Sequence, residues 1–531
     1  MSAPYDLNDD NVFVVIGSGA GGATLANELA QKGVDVVCLE AGARLDASEI
    51  INDPPEMDKR MGWHDPREGS PTWLCKTVGG TTMRWSAVSL RMKDYEFRPL
   101  SEYGKIDGTS LIDWPLTYEE LAPYYAKAES KMGVSGTGDI PPSDETNNYK
   151  VLKAGGRLSG YKEITSCHMA INPVARDNRA GCQQLGFCYS GCAFQAKWST
   201  LYTEIPKAEA TSHFELRPKS MVVEILHDSS GKITSVVYQD EKGGRHKQKA
   251  RGVAIAGNVV ETTRLLLNNT SSRFPNGLAN SSGHVGRNYM KHQHGSLAAV
   301  MPGPVNAHRG ARQTGLIFDE WKHDPSRGFA GGYTIQATFG DPAFMATIFG
   351  GWGQELTDFV MQYDHIALGF ACGEDMPNYD NRIELHPTKT DDYGLPVPVL
   401  TYSQQANAKA LEEHSMAAMA KIYTSLGGDN IKRTHGNVSS CHNMGVARMS
   451  ANPEDGVTNK WGQSHDISNL FISDGSVFSS SGAANPTLTI VALAIRQADH
   501  IAQRMAQGSL CLLYTSPSPR DQRGSRMPSS A

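Results

Sequence analysis

Residues 11–42, "NVFVVIGSGAGGATLANELAQKGVDVVCLEAG", decide the fold of the first part of the chain. An apolar run leads into Gly17, Gly19 and Gly22, and a small-residue helical pattern follows. A second apolar run ends at Glu40, 23 residues after the first glycine. This order predicts a strand, a tight turn, a helix and a strand. The glycines let the backbone approach a pyrophosphate at the positive helix N-terminus. Glu40 can accept hydrogen bonds from both ribose hydroxyls, and its charge would repel a 2′-phosphate. The stretch therefore predicts dinucleotide binding.

Size and composition narrow the class of protein. The chain has 531 residues and a mass of 57.6 kDa, enough for a large core and two lobes. A net charge of −6 and a pI near 6.3 give no general electrostatic reason to bind nucleic acid or an anionic membrane. No apolar stretch reaches the length that spans a bilayer. The N-terminus lacks the basic and apolar regions of a secretion signal, and the nine cysteines are mostly isolated. By its own sequence the chain is expected to be cytoplasmic.

The end of the chain differs sharply in composition. Over 509–531, serine, proline and arginine crowd together without periodicity, which is typical of a disordered tail. The stretch also resembles translated vector or adapter sequence. We interpret it as a non-native disordered tail and expect the natural end close to "QRMAQG" (503–508).

Five further stretches occur in the order found in one flavoprotein family. They are "VGGTTMRWSAVSLR" (78–91), "DWPLTYEELAPYYAKAE" (113–129), "AIAGNVVETTRLLL" (254–267), "HVGRNYMKH" (284–292), and a C-terminal segment with "CHNMG" (441–445), "NLFISDGSVF" (469–478) and "NPTLTIVALAIRQAD" (485–499). Together they resemble the glucose–methanol–choline (GMC) oxidoreductases, which are FAD-dependent. The second stretch is typical of the sugar- and gluconate-dehydrogenase branch. The resemblance covers nearly everything from Val12 to about Gln507.

The resemblance implies an α/β fold, α+β overall, in which a Rossmann-like FAD-binding domain is interleaved with an antiparallel-sheet substrate domain. The FAD-binding domain is expected to be discontinuous, with a flavin-covering and connecting region and a substrate-binding domain inserted into it. The expected segments are 10–95, 212–295 and 436–507 for FAD binding, 96–211 for the connecting region and 296–435 for substrate binding.

Local patterns predict three elements within these segments. The alternation in 213–240 predicts antiparallel strands around a Ser-Ser-Gly turn. The pattern of 407–428 predicts a helix that ends on glycine. Asn485 is predicted to be the N-cap of an alanine-rich helix, with Pro486 at its first position.

The resemblance also implies cofactor contacts. The loop with Gly79, Gly80 and Thr81 would cover the flavin. Since "GGTTMRWS" (79–86) contains no histidine, the FAD is expected to be non-covalent. Arg84 would either approach the flavin or cap this loop. The other expected contacts are Val223 near the adenine, Asp474 and Gly475 against the phosphate and ribityl region, and Asn485, Pro486 and Thr487 at a helix N-terminus that faces the charge of the reduced flavin.

His442 is the expected base. Oxidising an alcohol requires removal of the hydroxyl proton while hydride leaves carbon for flavin N5, and a neutral imidazole suits that task near neutral pH. His442 lies 43 residues before Asn485, the spacing of the base in the family. Asn485 can hydrogen-bond the substrate oxygen but cannot serve as a base. His435 and His465 fall outside the matched positions and are expected to be structural.

Three cysteines lie close together at Cys182, Cys188 and Cys192, and three interpretations stay open. They are free thiols, or a disulfide with one thiol to spare. They are part of a zinc site, which lacks a fourth ligand unless Cys167 completes it. Or they hold a three-iron, four-sulfur cluster, because their spacing is similar to the cluster loop of bacterial FAD-dependent glucose dehydrogenases, although the residues after Cys192 depart from that loop.

The expected function is oxidation of the CH–OH group of a sugar, polyol, sugar acid or alcohol, with electrons passing to an acceptor other than oxygen. The alternatives are an oxygen-using alcohol oxidase, a redox-neutral FAD-containing lyase and an FAD-binding partner protein without turnover. The chain has no haem-attachment "CxxCH", so a cytochrome c acceptor would be a separate subunit. A small chaperone-like subunit with a twin-arginine signal would place the enzyme in the periplasm.

Overall fold

The computed structural model describes residues 5–62, 68–434 and 442–510. Its strands are β1 (Phe13–Ile16), β2 (Val36–Leu39), β3 (Glu68–Gly69), β4 (Ile164–Ser166), β5 (Phe214–Arg217), β6 (Ser220–His227), β7 (Ile233–Asp240), β8 (Arg245–Lys249), β9 (Gly252–Ile255), β10 (Gln293–Val300), β11 (Gly315–Ile317), β12 (Tyr333–Ala337), β13 (Ile366–Gly373), β14 (Arg382–Thr390), β15 (Pro396–Thr401), β16 (Asp429–Arg433) and β17 (Leu470–Ile472). Its α-helices are α1 (Ala20–Ala30), α2 (Pro54–Arg60), α3 (Pro99–Tyr103), α4 (Tyr118–Met132), α5 (Asn147–Leu158), α6 (Glu204–Glu209), α7 (Asn258–Asn268), α8 (Pro342–Phe349), α9 (Gly353–Val360), α10 (Ala406–Thr424) and α11 (Thr487–Ala506).

A parallel sheet forms the first layer, with strand order β17-β9-β1-β2-β5. β1, β2, β9 and β17 are apolar and buried along their whole length, as expected for parallel strands covered on both faces. Helix α1 connects β1 to β2 and packs against α11. Strands from all three segments expected to bind FAD therefore share this sheet, and the predicted α/β fold is confirmed.

Close packing at the β1–α1 turn explains two of its glycines. Gly17 has a φ of +98°, and a Cβ there would lie 2.4 Å from the carbonyl oxygen of Ala256. A Cβ on Gly22 would lie 2.0 Å from the carbonyl oxygen of Gly17. A side chain at Gly17 would push the turn away from the segment that follows β9, and one at Gly22 would push helix α1 away from the turn.

A second, antiparallel sheet has the strand order β16-β10-β13-β12-β11-β4. Helices α5 and α10 pack on it around a separate apolar cluster. An antiparallel sheet is expected beside the parallel one, but β10 begins at Gln293, before the expected boundary after residue 295. Two three-stranded sheets, β14-β15-β3 and β6-β7-β8, complete the strand pairing of the described residues.

Several local predictions can be compared with these elements. β6 and β7 form the antiparallel pair predicted for 213–240, but β5 joins the parallel sheet instead. Helix α10 occupies the predicted stretch but ends at Thr424, and its C-cap is Ser425 rather than a glycine. Leu510 is buried in the cluster that contains Phe13, so the packed chain extends past the expected tail boundary at 509.

Two of the sequence predictions concern residues that the structure does not describe. His435 and the tail from 511 onward lie outside the described residues. None of the helices in the described part of the chain combines the length and apolarity needed to cross a bilayer.

Candidate active site

A cavity of about 400 Å³ joins the parallel sheet to the antiparallel one. Its lining starts at the β1–α1 turn, includes the loop at 80–88 and the start of α11, and reaches His294 and Phe370 on the antiparallel sheet. The residues predicted to bind the nucleotide and the antiparallel sheet therefore border the same space.

The structure brings most of the predicted site residues to this cavity. Those in its lining are Gly17, Gly19, Glu40, Gly80, Thr81, Val223, His442, Asp474, Gly475, Asn485, Pro486 and Thr487. Gly22 and Gly79 are outside the lining. Gly22 instead sets the spacing of α1, as described above, and Gly79 shapes the loop, since its φ is +97° and its N–H donates to the Ser18 hydroxyl at 3.1 Å. His465, expected to be structural, also lies outside, 3.1 Å from the Ser450 hydroxyl.

Glu40 is buried at the nucleotide end of the cavity. Its carboxylate accepts hydrogen bonds from the Ser18 N–H (2.9 Å), the Ser18 hydroxyl (2.7 Å) and the Gly42 N–H (2.9 Å). Burial raises its pKa, and these donors oppose the shift. A carboxylate has about four acceptor positions. The arrangement thus leaves roughly one for a ribose hydroxyl, where the sequence expectation required two.

Arg84 lies in the loop at 80–88 and contributes to the cavity wall. It forms an ion pair with Asp58 of α2, and burial lowers its pKa to about 10. The ion pair ties the loop to α2. The ion pair accords with a role in holding the loop, and the position of Arg84 in the cavity wall accords with an approach to the flavin.

Asp474 follows β17 and is buried beside the cavity. One carboxylate oxygen accepts from the Ser476 N–H (2.8 Å) and the other from the Thr262 hydroxyl (2.6 Å). Burial raises its pKa, against these donors. The bonds fix the turn in which Gly475 approaches the backbone of Asn443, where a Cβ would lie 2.5 Å from the carbonyl oxygen.

Asn485 does not cap α11, so the predicted capping role is wrong. The N-cap is Pro486, which makes no side-chain capping bond. The reason is a tertiary contact, since the Asn485 Oδ1 accepts a hydrogen bond from Gln336 Nε2 of β12 at 3.1 Å. With Oδ1 held in this way, the amide NH₂ is the end of Asn485 that can donate to a ligand.

A row of polar side chains extends from Asn485 along the antiparallel sheet. Gln336 Oε1 accepts from Gln313 Nε2 at 2.6 Å, and Gln313 and Thr338 line the cavity. Gln336 and Thr338 are two residues apart, so they point to the same side of the chain. Sequence reasoning missed this row, because its only signal was alternating polar residues in an otherwise apolar strand.

Two further histidines lie beside His442, and sequence reasoning missed them as well. Met290 and Met444 form an antiparallel bridge, a register that places His292 opposite His442. His294 follows two residues later on the same side of the chain. The signal in the sequence was the alternation in "KHQH" (291–294), at the end of a stretch quoted for the family resemblance.

The three imidazoles are in direct contact. His442 Nδ1 lies 2.8 Å from His292 Nδ1 and 3.1 Å from His294 Nε2, and His292 Nε2 lies 2.8 Å from the Gly482 carbonyl oxygen. Burial lowers the pKa of His292 to about 4. Burial and the neighbouring imidazole of His292 also hold the pKa of His442 well below 6.5. The histidines are therefore neutral at neutral pH, and His442 has a lone pair with which to accept a proton.

The three clustered cysteines line a smaller cavity of about 70 Å³. All three are free thiols in this structure, which excludes the disulfide interpretation for it. Cys167 is outside this cavity, and its Sγ contacts the His168 carbonyl oxygen at 3.6 Å. Burial raises the pKa of Cys182 to about 11 and also raises that of Cys188.

Lys197 connects the cysteine loop to the loop at 80–88. It is 1% exposed, and its Nζ donates to the carbonyl oxygens of Met83 (2.8 Å), Trp85 (3.2 Å) and Cys188 (2.5 Å). Burial lowers its pKa to about 8. The Arg312 backbone N–H donates to the sulfur of Cys188, so cationic and N–H groups surround this thiol.

Comparison with protein families and curated proteins gives consistent results. The family model described as GMC oxidoreductase matches residues 11–294 with its N-terminal part and 377–494 with its C-terminal part. The chain is 34% identical to 2-methyl-1,2-propanediol dehydrogenase of Mycolicibacterium austroafricanum, over 94% of this chain and 96% of the relative. It is 30% identical to the fructose dehydrogenase large subunit of Gluconobacter japonicus, over 93% and 98%.

A solved structure shares the fold. Formate oxidase of Aspergillus oryzae RIB40, described for its FAD modification, superposes with a TM-score of 0.65 at 16% identity, covering 94% of this chain and 98% of that one. At this identity the likeness concerns the fold alone.

Proposed function

The chain belongs to the GMC oxidoreductase family, and on that premise we propose that it is an FAD-dependent dehydrogenase of CH–OH groups. One observation carries the proposal. His442 and Asn485 line the same cavity as Gly17, Glu40 and Gly80 of the nucleotide-binding part. A proton acceptor, a hydrogen-bond donor and a dinucleotide site thus border one space, as alcohol oxidation by a flavin requires.

The residues present fit FAD. Helix α1 begins after Gly19 without a side-chain cap, so its first N–H groups are available to a pyrophosphate. Glu40 offers an acceptor for a ribose hydroxyl, and Val223 lines the same end of the cavity. The loop 79–86 has no histidine, which supports a non-covalent cofactor. When bound, FAD supplies the hydride acceptor.

His442 is the proposed base, and its neighbours orient it. His292 Nε2 donates to the Gly482 carbonyl oxygen, so in the neutral tautomer its Nδ1 is an acceptor. The contact with His442 then needs the proton on His442 Nδ1. In this tautomer Nε2 of His442 carries the lone pair, so Nε2 is the atom proposed to accept the hydroxyl proton of the substrate.

Asn485 is proposed to bind the substrate oxygen through its NH₂ group. Gln336 holds the amide in that orientation, and Gln313 and Thr338 offer further polar contacts along the cavity wall. Several hydroxyl-binding groups next to the reacting position favour a small polyol or sugar over a simple apolar alcohol. The two relatives named above, a 1,2-diol dehydrogenase and a fructose dehydrogenase, support the same substrate class.

The cysteine loop is proposed as the exit for electrons. Cys182, Cys188 and Cys192 line one small cavity, and Lys197 links their loop to the carbonyls of Met83 and Trp85 beside the cofactor cavity. Bound as thiolates, the three cysteines would hold a three-iron, four-sulfur cluster, which would supply one-electron transfer. Burial raises the pKa of Cys182 and Cys188, so the charge of the iron would be needed to keep these thiolates deprotonated. The other two interpretations, free thiols and zinc, are outcomes of iron and zinc analysis on anaerobically prepared protein.

A partner subunit is proposed to receive the electrons. Leu185, Phe187 and Phe194 of the cysteine loop are 46%, 42% and 49% exposed, and exposed apolar clusters mark interaction sites. One relative is by name the large subunit of its enzyme, which supports the presence of at least one further subunit. The proposed further subunits are a cytochrome c subunit and a small chaperone-like subunit. Export with such a partner would give a periplasmic enzyme. Active enzyme recovered from the cytosol alone would favour the cytoplasmic location.

Anaerobic reduction of the flavin tests the proposed function. The protein is mixed with 1,2-diols, aldoses, ketoses, sugar acids and simple alcohols, and bleaching of the oxidised flavin is followed. We expect bleaching by small polyols or sugars, then rapid reoxidation by dyes or cytochrome and slow reoxidation by oxygen. Fast turnover with oxygen would show an oxidase, and product formation without bleaching would show a lyase.

A further inference from the structure

Four side chains near the reacting end of the cavity form a compact set of metal-ligating groups. One ligand atom from each of His292, His294, Cys372 and His442 lies within 4.8 Å of every other. We call these residues the His₃Cys cluster. His292 and Cys372 are buried, and the other two are half-buried. The proposed function uses His442 and its histidine neighbours but gives no role to Cys372.

Strand register explains why these residues meet. His294 of β10 and Cys372 of β13 are paired residues of the antiparallel sheet, so their side chains leave the same face about 5 Å apart. The Met290–Met444 bridge brings His292 opposite His442. Three separate parts of the chain are thereby held by backbone hydrogen bonds around one point, which is the rigidity that a metal site needs.

The distances suit a tetrahedral ion. The two measured N···N distances are 2.8 and 3.1 Å. A tetrahedron with Zn–N bonds of about 2.0–2.1 Å has an edge of roughly 3.3 Å, so these two contacts need to open by less than about half an ångström. The four ligand atoms all lie within 4.8 Å of one another, so any pair near that limit would have to close by roughly 1–1.5 Å. His292 also donates its other ring N–H to the Gly482 carbonyl oxygen, the outer hydrogen bond that histidine ligands of metals usually make.

Counting the protons favours the same conclusion. With His292 Nε2 as a donor, its Nδ1 carries a lone pair. His294 Nε2 contacts the same nitrogen, Nδ1 of His442, as His292 does. Neutral rings therefore offer these three converging nitrogens a single shared hydrogen for two acceptors. When the hydrogen on His442 Nδ1 moves to Nε2 of the same ring, a cation would accept the lone pairs of all three nitrogens.

We propose that the His₃Cys cluster is a Zn²⁺ site and that zinc bound there inhibits the enzyme. Imidazole and thiolate ligands in tetrahedral geometry select zinc among the common divalent ions. Four protein ligands close the coordination sphere, so the ion holds no water for catalysis. Occupation of His442 by zinc removes the base and stops substrate oxidation. Binding itself does not depend on the proposed reaction.

Metal binding can be measured on the FAD-loaded protein after treatment with a chelator and dialysis. Co²⁺ is added first, because tetrahedral cobalt with a thiolate ligand absorbs visible light to the red of oxidised flavin. We expect one equivalent to give this spectrum and one equivalent of Zn²⁺ to abolish it. We also expect Zn²⁺ to inhibit anaerobic flavin reduction with the same stoichiometry.

Cys372→Ala and Cys372→Ser isolate the site. Both are expected to reduce flavin normally without zinc and to bind zinc about 100-fold more weakly or worse, since the loss of even an outer-shell partner costs 10–100-fold. The serine variant keeps the side-chain volume, and the flavin spectrum reports that each variant is folded. Cys188→Ser is the matched control and should keep wild-type zinc affinity. Equal zinc affinity in wild type and both Cys372 variants, or loss of binding in Cys188→Ser alone, would overturn the proposal.

Discussion

The two ends of the main cavity are built in different ways. Most of the nucleotide end comes from one continuous stretch, 11–42, in which strand, glycine turn, helix and Glu40 follow one another, and Val223 of β6 lines the same end. The reacting end is assembled from β10, β12, β13 and the segments around His442 and Asn485, which are far apart in the chain. The difference teaches that cofactor binding is locally encoded here, whereas the environment of the base depends on strand register. Substitutions should therefore separate cofactor binding from reactivity.

The largest expected effect is at the reacting end. His442→Ala should keep FAD bound and slow substrate-driven flavin reduction by about 10²–10⁴-fold, the usual contribution of a general base. Stopped-flow bleaching at saturating substrate measures the rate, and His465→Ala, a histidine outside the cavity, is the matched control. A rate near that of wild type would mean that another group is the base and would break the comparison.

At the nucleotide end, Glu40→Ala should weaken FAD binding by roughly 10–100-fold, since hydrogen bonds to a charged group contribute about 1.5–3 kcal/mol. The protein that still holds FAD should reduce it at the wild-type rate. Titration of the apoprotein with FAD gives the dissociation constant, and single-turnover bleaching gives the rate. A large loss of rate in the FAD-loaded fraction would show that the two ends are not independent.

Dependence on pH tests the histidine contacts. The pKa of His442 is held well below 6.5, and the reaction needs the neutral imidazole. Flavin reduction should therefore stay constant as the pH falls to 6.5 and decline only well below it. His292→Asn removes one cause of the low pKa, so the decline should move to higher pH, with a rate loss of about 10–100-fold. A profile unchanged by this substitution would leave His292 with a structural role only.

The smallest expected effect is at Asn485. Asn485→Ala removes a neutral hydrogen bond worth about 0.5–1.5 kcal/mol, so flavin reduction should slow by about 2–10-fold while FAD binding stays within twofold. Gln336→Leu, which removes the group that orients Asn485, should give a similar but smaller loss. Substrate titration of the bleaching rate separates the effects on affinity and on rate.

Sequence reasoning succeeded for elements whose conformation depends on residues close together in the chain. The β1–α1–β2 unit, the family fold and the β6–β7 pair could be predicted from local patterns and resemblance. It failed where the role of a side chain depends on a contact with a residue far away in the chain. The predicted N-cap Asn485 is held by Gln336, 149 residues away, and His292 meets His442 through the Met290–Met444 bridge. Local alternation shows which residues share a face, but it does not show which distant residue each one meets, because register is set by the packing of whole sheets.

The contacts of Lys197 couple retention of the cofactor to burial of the clustered cysteines. One ammonium group holds carbonyls of Met83 and Trp85 on the cofactor side and of Cys188 on the other. Because the three bonds are made by one buried charge, movement of either the loop at 80–88 or the cysteine loop would leave that charge without hydrogen-bond partners. Loss of the cofactor and unmasking of the thiols are thus expected to be a single event. When a stored preparation is treated with a thiol-alkylating reagent, the fraction of molecules alkylated at Cys188 should then equal the fraction that have lost their flavin.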